Sequence, residues 1–439
     1  MRKILSITAL TFREAIRSRM AVAVAVLLAL VVVGFPEAMK GDGTEAGLAH
    51  TILYYTLGLS FALLSVAALC ASSAAISSES RARTLQLARV KPVAMWQFWL
   101  GKWIGLVAVF GLLLALAVAG VWPRVRGVAD FAKACEKIPP ELPSVREQVD
   151  RILAEAAKQG TDAATLRDLR RQALDQVPFA TISLEPGKSW VWRFALGGAL
   201  DAAQPVGLLF NIRDDSFSAP AQASCYLRDT DAPEGTPPLV FELSDFGGSE
   251  KRLFFPAGNF NGARMLELGI RHSGSEKSGP LMLRPRQDLF LLRPVCPLGE
   301  NMLRAYLVML PVLALVVALG LSLGAFFSLP VAVFCAASLL VSVFAADYAA
   351  GDPDVLDFSG EGNPGVMRVV NERIAVATTR FLQAVSSPAL EPEPIARLSS
   401  AELVPADEIA SSVIWNGLAI PAVLMVLSAL ALRRKELPE

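Results

Sequence analysis

The sequence predicts an α-helical polytopic membrane protein with six transmembrane helices, both termini on the cytoplasmic side, and an inserted extracytoplasmic α+β domain. Three observations carry that class. Hydrophobic residues make up 53% of the 439 residues and charged residues 19%, with a mean hydropathy of +0.46; a soluble domain carries about 25% charged residues. Uncharged runs of membrane length recur before residue 123 and after residue 300. Between them lies a polar stretch large enough to hold its own core.

The elements follow in order. Residues 1–19 place Leu5, Thr8, Phe12, Ala15 and Ile16 on one helical stripe, with Arg2, Lys3, Arg13, Arg17 and Arg19 off it. That is the pattern of a cytoplasmic interfacial helix feeding into a span. The basic region is too long for a cleavable signal peptide, and no small-residue cleavage site follows. Residues 20–122 hold three spans: Met20–Pro36, Thr51–Ser78 and Trp103–Trp122. Ser72, Ser73, Ala74 and Ala75 are small enough for close helix packing near the end of the second. The stretch 78–102 is a basic elbow carrying Arg81, Arg83, Arg89, Lys91 and Lys102. Lys91-Pro92 breaks it, because the residue before proline is pushed out of the helical region.

Residues 123–300 contain no membrane-length run. A helical hairpin is predicted over 144–178, with Ser144 capping the first helix and Gly160 ending it. From 181 to 295, nine short runs separated by Gly, Pro and Asp clusters predict a β-sandwich: 181–184, 190–194, 207–212, 225–227, 239–243, 253–255, 265–270, 281–283 and 289–292. Residues 303–346 form spans four and five. Their uncharged core of 42 residues is about 63 Å of helix, two crossings, with Ser328-Leu329-Pro330 as the hairpin. The loop 347–408 holds an amphipathic helix marked by Met367, Val370, Ile374, Ala377, Phe381 and Val385. Residues 409–432 are span six and 433–439 a cytoplasmic tail.

Orientation follows from the basic residues. The N-terminal helix, the elbow and the Arg433-Arg434-Lys435 tail are Arg/Lys-rich, whereas the loop 37–50 carries only Lys40. Six spans put the three basic pieces on one side, which the positive-inside rule makes the cytoplasm. The inner (plasma) membrane is the expected location, with the large domain in the periplasm or outside and lipids as surrounding partners.

The chemistry is sparse. Lys+Arg and Asp+Glu are both 41, so net charge points to no nucleic-acid partner. Gly101-Lys102 lacks the glycine and the Ser/Thr of a phosphate-binding loop. No nucleophile elbow or zinc-helix motif is present. No metal or cofactor site and no catalytic constellation is expected. His50 reads as a polar interface residue and His272 as a surface one. Trp190 and Trp192 share a strand face and fit a sugar-stacking platform less well than a packed core. Cys135 follows one span and Cys296 precedes the next. Two readings stand open for them: a disulfide in an oxidising compartment, or small buried thiols.

Several segments match a known frame: Thr11–Arg19 before the first span, Ile76–Glu79 at the end of the second, Thr84-Leu85, Lys91-Pro92-Val93 and Gly101-Lys102 in the elbow, and Arg433–Leu437 at the tail. On these the chain resembles a permease subunit of the type-2 ABC-transporter superfamily, near the copper-enzyme-maturation branch. The resemblance covers the six-span frame and not most of 123–300, which is larger than the loop of compact members. Ala82 and Arg83 stand where the family usually has a glycine. The resemblance implies a homodimer, or a heterodimer with a second permease, driven by a separate cytoplasmic ABC-type ATPase. The chain itself would be no enzyme. Arg13 and Glu14 in the first helix, and Glu79, Arg81, Arg83, Lys91 and Pro92 in the elbow, are the expected coupling contacts. The rival expectation is a membrane-anchored binding or assembly protein whose β-sandwich takes a glycan or protein partner.

Overall fold

The computed structural model describes residues 2–39, 45–81, 94–128, 133–158, 163–177, 180–200, 205–214, 222–232, 236–244, 250–256, 258, 260–273, 279–328, 330–335, 338 and 394–434. The chain divides into two compact units, one of Met1–Ala134 with Cys296–Glu439, the other of Cys135–Val295.

The first unit is helical. Helix α1 (Arg2–Arg17) runs to Ser18, whose Oγ accepts from Ala21 N and caps the next helix. Among the described residues five helices are long and apolar enough to cross a membrane: α2 (Arg19–Ala38), α3 (Glu45–Ser77), α4 (Met95–Val125), α8 (Leu298–Phe326) and α10 (Ala406–Ala431). The protein is therefore membrane-embedded. These match predicted spans one to four and six. Predicted span five and the amphipathic stretch around 367–385 fall mostly or wholly outside the described residues. In α8, 72% of the most apolar window is buried against protein, against 17% in α10. Helix α8 is thus the axis of the unit, and among the described residues most of α10 is not covered by protein.

Lipid tails are as apolar as leucine, so burial from water cannot drive these helices together. Close packing and interhelical hydrogen bonds must. The α8–α3 contact shows how. A Cβ on Gly320 would lie 2.8 Å from the Leu69 carbonyl oxygen and would also strike Ser72 Oγ. One on Gly324 would lie 2.5 Å from the Ser73 carbonyl oxygen. The two glycines, one turn apart, let the backbones meet on the small residues expected there. Hydrogen bonds add to this. Ser428 Oγ donates to Ser322 Oγ at 2.9 Å, and Ser412 Oγ donates to the Val308 carbonyl at 3.0 Å. Such bonds average about 0.6 kcal/mol in membranes, so backbone-close packing is the larger contribution.

A polar cap sits at one end of α8. Buried Asn301 donates to the Glu402 carbonyl at 2.8 Å and accepts from Val404 N at 2.9 Å, pinning a turn that follows α9 (Pro394–Ser399). His50 Nδ1 donates to the Ser399 carbonyl at 2.8 Å and its ring stacks on Tyr54. The histidine is therefore a structural tie.

The second unit holds the predicted hairpin and strands. Helix α5 (Val145–Lys158) opens with a capping box: Glu147 N donates to Ser144 Oγ while Ser144 N donates to the Glu147 carboxylate. It packs on α6 (Ala163–Gln176) through Val149, Ala173 and Val177. Eleven strands follow the chain: β1 (Lys133–Ile138), β2 (Ile182–Leu184), β3 (Ser189–Ala195), β4 (Val206–Phe210), β5 (Arg213–Asp214), β6 (Gln222–Asp229), β7 (Leu239–Ser244), β8 (Lys251–Phe255), β9 (Met265–His272), β10 (Leu281–Leu283) and β11 (Leu289–Pro297). A one-turn helix α7 (Pro285–Asp288) precedes the last. The described strands form three sheets, ordered β1-β11-β4-β8, β2-β10-β5 and β3-β9-β6-β7.

One core joins the sheets. Phe194, Leu208, Phe210, Leu227, Leu268, Ile270, Leu281 and Leu291 belong to a single buried cluster. Within β6–β9, Tyr226 pairs with Gly269 and its ring covers the space a side chain there would need. Trp192 is buried in the same core and Trp190 packs edge-on against it, ring centroids 5.2 Å apart. The pair is filled from within the domain.

One expectation is corrected here. His272 is not a surface residue: it is buried, and Nε2 donates to the Gly279 carbonyl at 3.1 Å. Of the two readings open for Cys135 and Cys296, a disulfide or buried thiols, the structure has buried free thiols, and Cys135 packs with Leu209 and Leu292 in an apolar cluster. Burial pushes the Cys225 thiol from its ordinary 9.0 up to about 12.

Two outcomes follow. Gly324→Ala forces the Ser73 backbone to move, so the thermal midpoint of the detergent-solubilised protein should fall by an amount equivalent to about 1–3 kcal/mol. Gly58→Ala, where no atom lies within 4 Å, should leave it unchanged or raise it slightly; equal effects would contradict the packing described. Cys225 should resist alkylation at pH 8.5 until denaturant is added. Because its folded pKa is raised, its contribution to stability is full below about pH 9 and is lost as pH rises toward 12.

Candidate functional site

Of the residues expected to carry coupling, Arg13 and Glu14 lie on α1 and the backbone of Glu79 and Arg81 on the last turns of the helix Leu57–Arg81. At 100° per residue, α1 has three sectors. Ile4, Ile7, Thr8, Thr11 and Ala15 lie on one, and all are partly or fully buried. Leu5, Ala9 and Ile16 lie on a second and are exposed, with Phe12 half-buried at its edge. Arg2, Arg13, Glu14 and Arg17 form the third and are exposed. The predicted stripe is therefore split. Thr8 and Ala15 face protein, while Leu5 and Ile16 are exposed. The reason is physical: a helix beside a membrane bundle approaches it with small or β-branched residues and leaves large apolar ones for lipid.

The protein-facing sector sits on α4. A Cβ on Gly101 would lie 2.8 Å from Ile7 Cβ, and one on Gly105 would lie 2.9 Å from Thr11 Cβ and 3.0 Å from the Thr8 carbonyl oxygen. Gly101 and Gly105 are one turn apart, so α1 lies in a groove cut by two absent side chains. Trp103 Nε1, from between them, donates to the Ala314 carbonyl of α8 at 2.8 Å. Helix α4 thus links α1 on one side to the axial helix on the other.

Lys102 is the residue that hydropathy misplaced. The expected elbow ends at 102, but α4 begins at Met95, and Lys102 lies inside it, only 4% exposed. Its Nζ donates to the Ala75 carbonyl near the end of α3 at 3.2 Å and stands 5.1 Å over the Phe98 ring. A long apolar stem lets a lysine lie in such a place while its head finds a carbonyl and a ring. The signal that was legible is the Gly101–Gly105 spacing, a small-xxx-small pattern that marks the buried side of α4 and carries Lys102 near it.

Arg13 and Glu14 are both exposed on the charged sector of α1. Glu79 and Arg81 belong to the last turns of the helix Leu57–Arg81, and their side chains lie outside the described residues. Arg83, Lys91 and Pro92 also lie outside them. Among the described residues, α1, α3 and α4 meet around Lys102, and Trp103 ties α4 to α8. No protein-family model and no curated protein matches the chain.

Gly105→Val should lift α1 from α4. A cysteine placed at Ile7, which is half-buried, should then react several-fold faster with a polar maleimide than in the otherwise unmodified chain. Equal labelling rates would mean that α1 does not rest on Gly105.

Proposed function

We propose that this chain is the transmembrane permease subunit of an ABC exporter-like complex, which couples a separate cytoplasmic ATPase to substrate movement or to mechanical signalling across the membrane. The observation that carries the reading is the seating of α1. A charged, exposed helix face is held on a membrane helix at backbone distance, so a partner gripping Arg13 and Glu14 would move α4 rather than bend a flexible tail. The elbow containing Glu79, Arg81, Arg83, Lys91 and Pro92 supplies the other half of the docking surface. In this reading the chain has six spans with both termini in the cytoplasm, sits in the inner membrane as a dimer, and carries residues 123–300 outside. ATP hydrolysis belongs to the partner. The near absence of charge in the spans argues for an apolar or lipid-linked substrate, or for mechanical work, over an ion pathway.

The alternative is a membrane-anchored binding or assembly protein whose β-sandwich takes a glycan or protein partner; Trp192 is packed in the domain core and so offers that reading no exposed stacking face.

Arg83→Glu combined with Lys91→Glu should abolish stimulation of the ATPase that co-purifies with the full-length chain, while membrane insertion is unchanged. Stimulation at the unmodified level, in a complex that still forms, would overturn the reading.

A further inference from the structure

The stacking face that Trp192 does not offer lies on the other side of the same sheet. Side chains alternate along a strand, so Trp192 and Phe194 of β3 point into the core while Val191 and Arg193 point out. Register then sets Val191, Gly269, Tyr226 and Val240 in one row across β3, β9, β6 and β7. A Cβ on Gly269 would strike Cδ1, Cε1 and Cζ of Tyr226, so the ring lies down over β9. Covering a strand glycine in this way supports the sheet. It also leaves a low apolar strip: the ring is half-buried, and the valines at the two ends of the row are 52% and 66% exposed. Three strand spacings make the strip about 14 Å long.

Positive charge flanks the strip on both sides. In one neighbouring row Glu267 takes Arg228 at 2.8 Å and Arg193 at 3.5 Å. One carboxylate meets two guanidiniums, and both are more than half exposed, at 51% and 59%. A guanidinium has five N–H donors, so most donors of this pair and one net charge are left to the outside. In the other neighbouring row Arg271 is exposed, stands between Ser189 and Ser224, and has no ion pair among the described residues. The remaining outward charge among the described residues of this sheet is Glu242, at the β7 edge. The face is flat, whereas sites for small molecules are concave, so a polymer laid across it gains the most contact. A neutral glycan would cover the ring and leave the arginines unused. An acidic peptide would meet the arginines and leave the ring and the valines bare. Single-stranded nucleic acid asks for successive aromatic platforms, and Tyr226 stands alone among the described outward residues. A chain of acidic sugars meets both needs: pyranose C–H faces lie on Tyr226 and the valines, and carboxylates pair with the arginines, whose forked donors match them. We infer that the outward face of the sheet β3-β9-β6-β7 is a binding site for an acidic polysaccharide of the uronate class. The site stands whether the spans transport or only anchor.

The test is calorimetric titration of the full-length, detergent-solubilised chain with tetragalacturonate, with its fully methyl-esterified form, and with hexaglutamate and oligodeoxythymidylate. Tetragalacturonate should bind, and the ester, which keeps the rings and loses the charge, should bind at least tenfold more weakly. Arg271→Gln should lower the affinity for tetragalacturonate about tenfold, the loss of one charge-assisted contact. Val240→Asp, which sets an acid beside the ring, should lower it by a similar factor. Both positions are exposed, so these variants should keep the thermal midpoint of the unmodified chain. Tyr226→Leu should weaken the acid and the ester alike, and the two exposed variants cover the case in which it does not fold. No binding of tetragalacturonate, or an affinity unaltered by Arg271→Gln or by Val240→Asp, would overturn the site. Hexaglutamate or oligodeoxythymidylate binding as tightly as tetragalacturonate would overturn the choice of ligand and assign the face to an acidic peptide or to nucleic acid.

Discussion

Backbone-to-backbone approach at four glycines is what the membrane unit rests on. In water, a helix pair gains by hiding apolar surface; in lipid that gain vanishes, and what remains is how closely two helices fit. Gly320 and Gly324 bring α8 against α3, and Gly101 and Gly105 bring α1 against α4. Each pair is spaced four residues, so both members fall on one helix face. Helix α8 is the most buried span because α3, α4 and α10 all pack on it, and Trp103 ties α4 to it by a hydrogen bond. Buried serines and Asn301 then fix which rotation of each helix is kept, at less than a kilocalorie apiece.

The same constraint explains the distribution of side chains on α1. Leu5, Leu10 and Ile16 are turned outward, and Thr11 is the most buried residue of the helix. In a soluble bundle the reverse would hold. Two environments meet along this helix: protein on one sector, and side chains largely left uncovered by the described residues on the other two.

Much of this was legible. Membrane-length apolar runs gave five spans close to where the helices lie, because a helix must satisfy its own backbone in lipid and needs about twenty apolar residues to do so. The strands between 181 and 295 were readable from turn chemistry, and the helical hairpin from Ser144 and the apolar spacing behind it. Three things were not. Lys102 looked like a boundary because a charge ends an apolar window, although a lysine stem can lie inside a helix contact. Strand β1, with the sequence Lys-Ala-Cys-Glu-Lys-Ile, carries too much charge to read as a strand; it is held by pairing with β11, a partner more than a hundred residues away. The fate of the apolar stripe on α1 depended on α4 offering glycines, which no window over α1 alone contains. At the candidate site, Arg13 and Glu14 are exposed on α1, while Arg83, Lys91 and Pro92 lie outside the described residues.

Strands β1 and β11 are neighbours in one sheet, about 4.8 Å apart. The insert therefore begins and finishes at adjacent points on its own edge. Independently, the ring of Trp122 near the end of α4 rests on Gly299 at the start of α8. Those two spans are clamped to each other by their own residues. The large domain thus enters and leaves by neighbouring strands, and the two spans that bracket it in sequence have a contact of their own that does not pass through it.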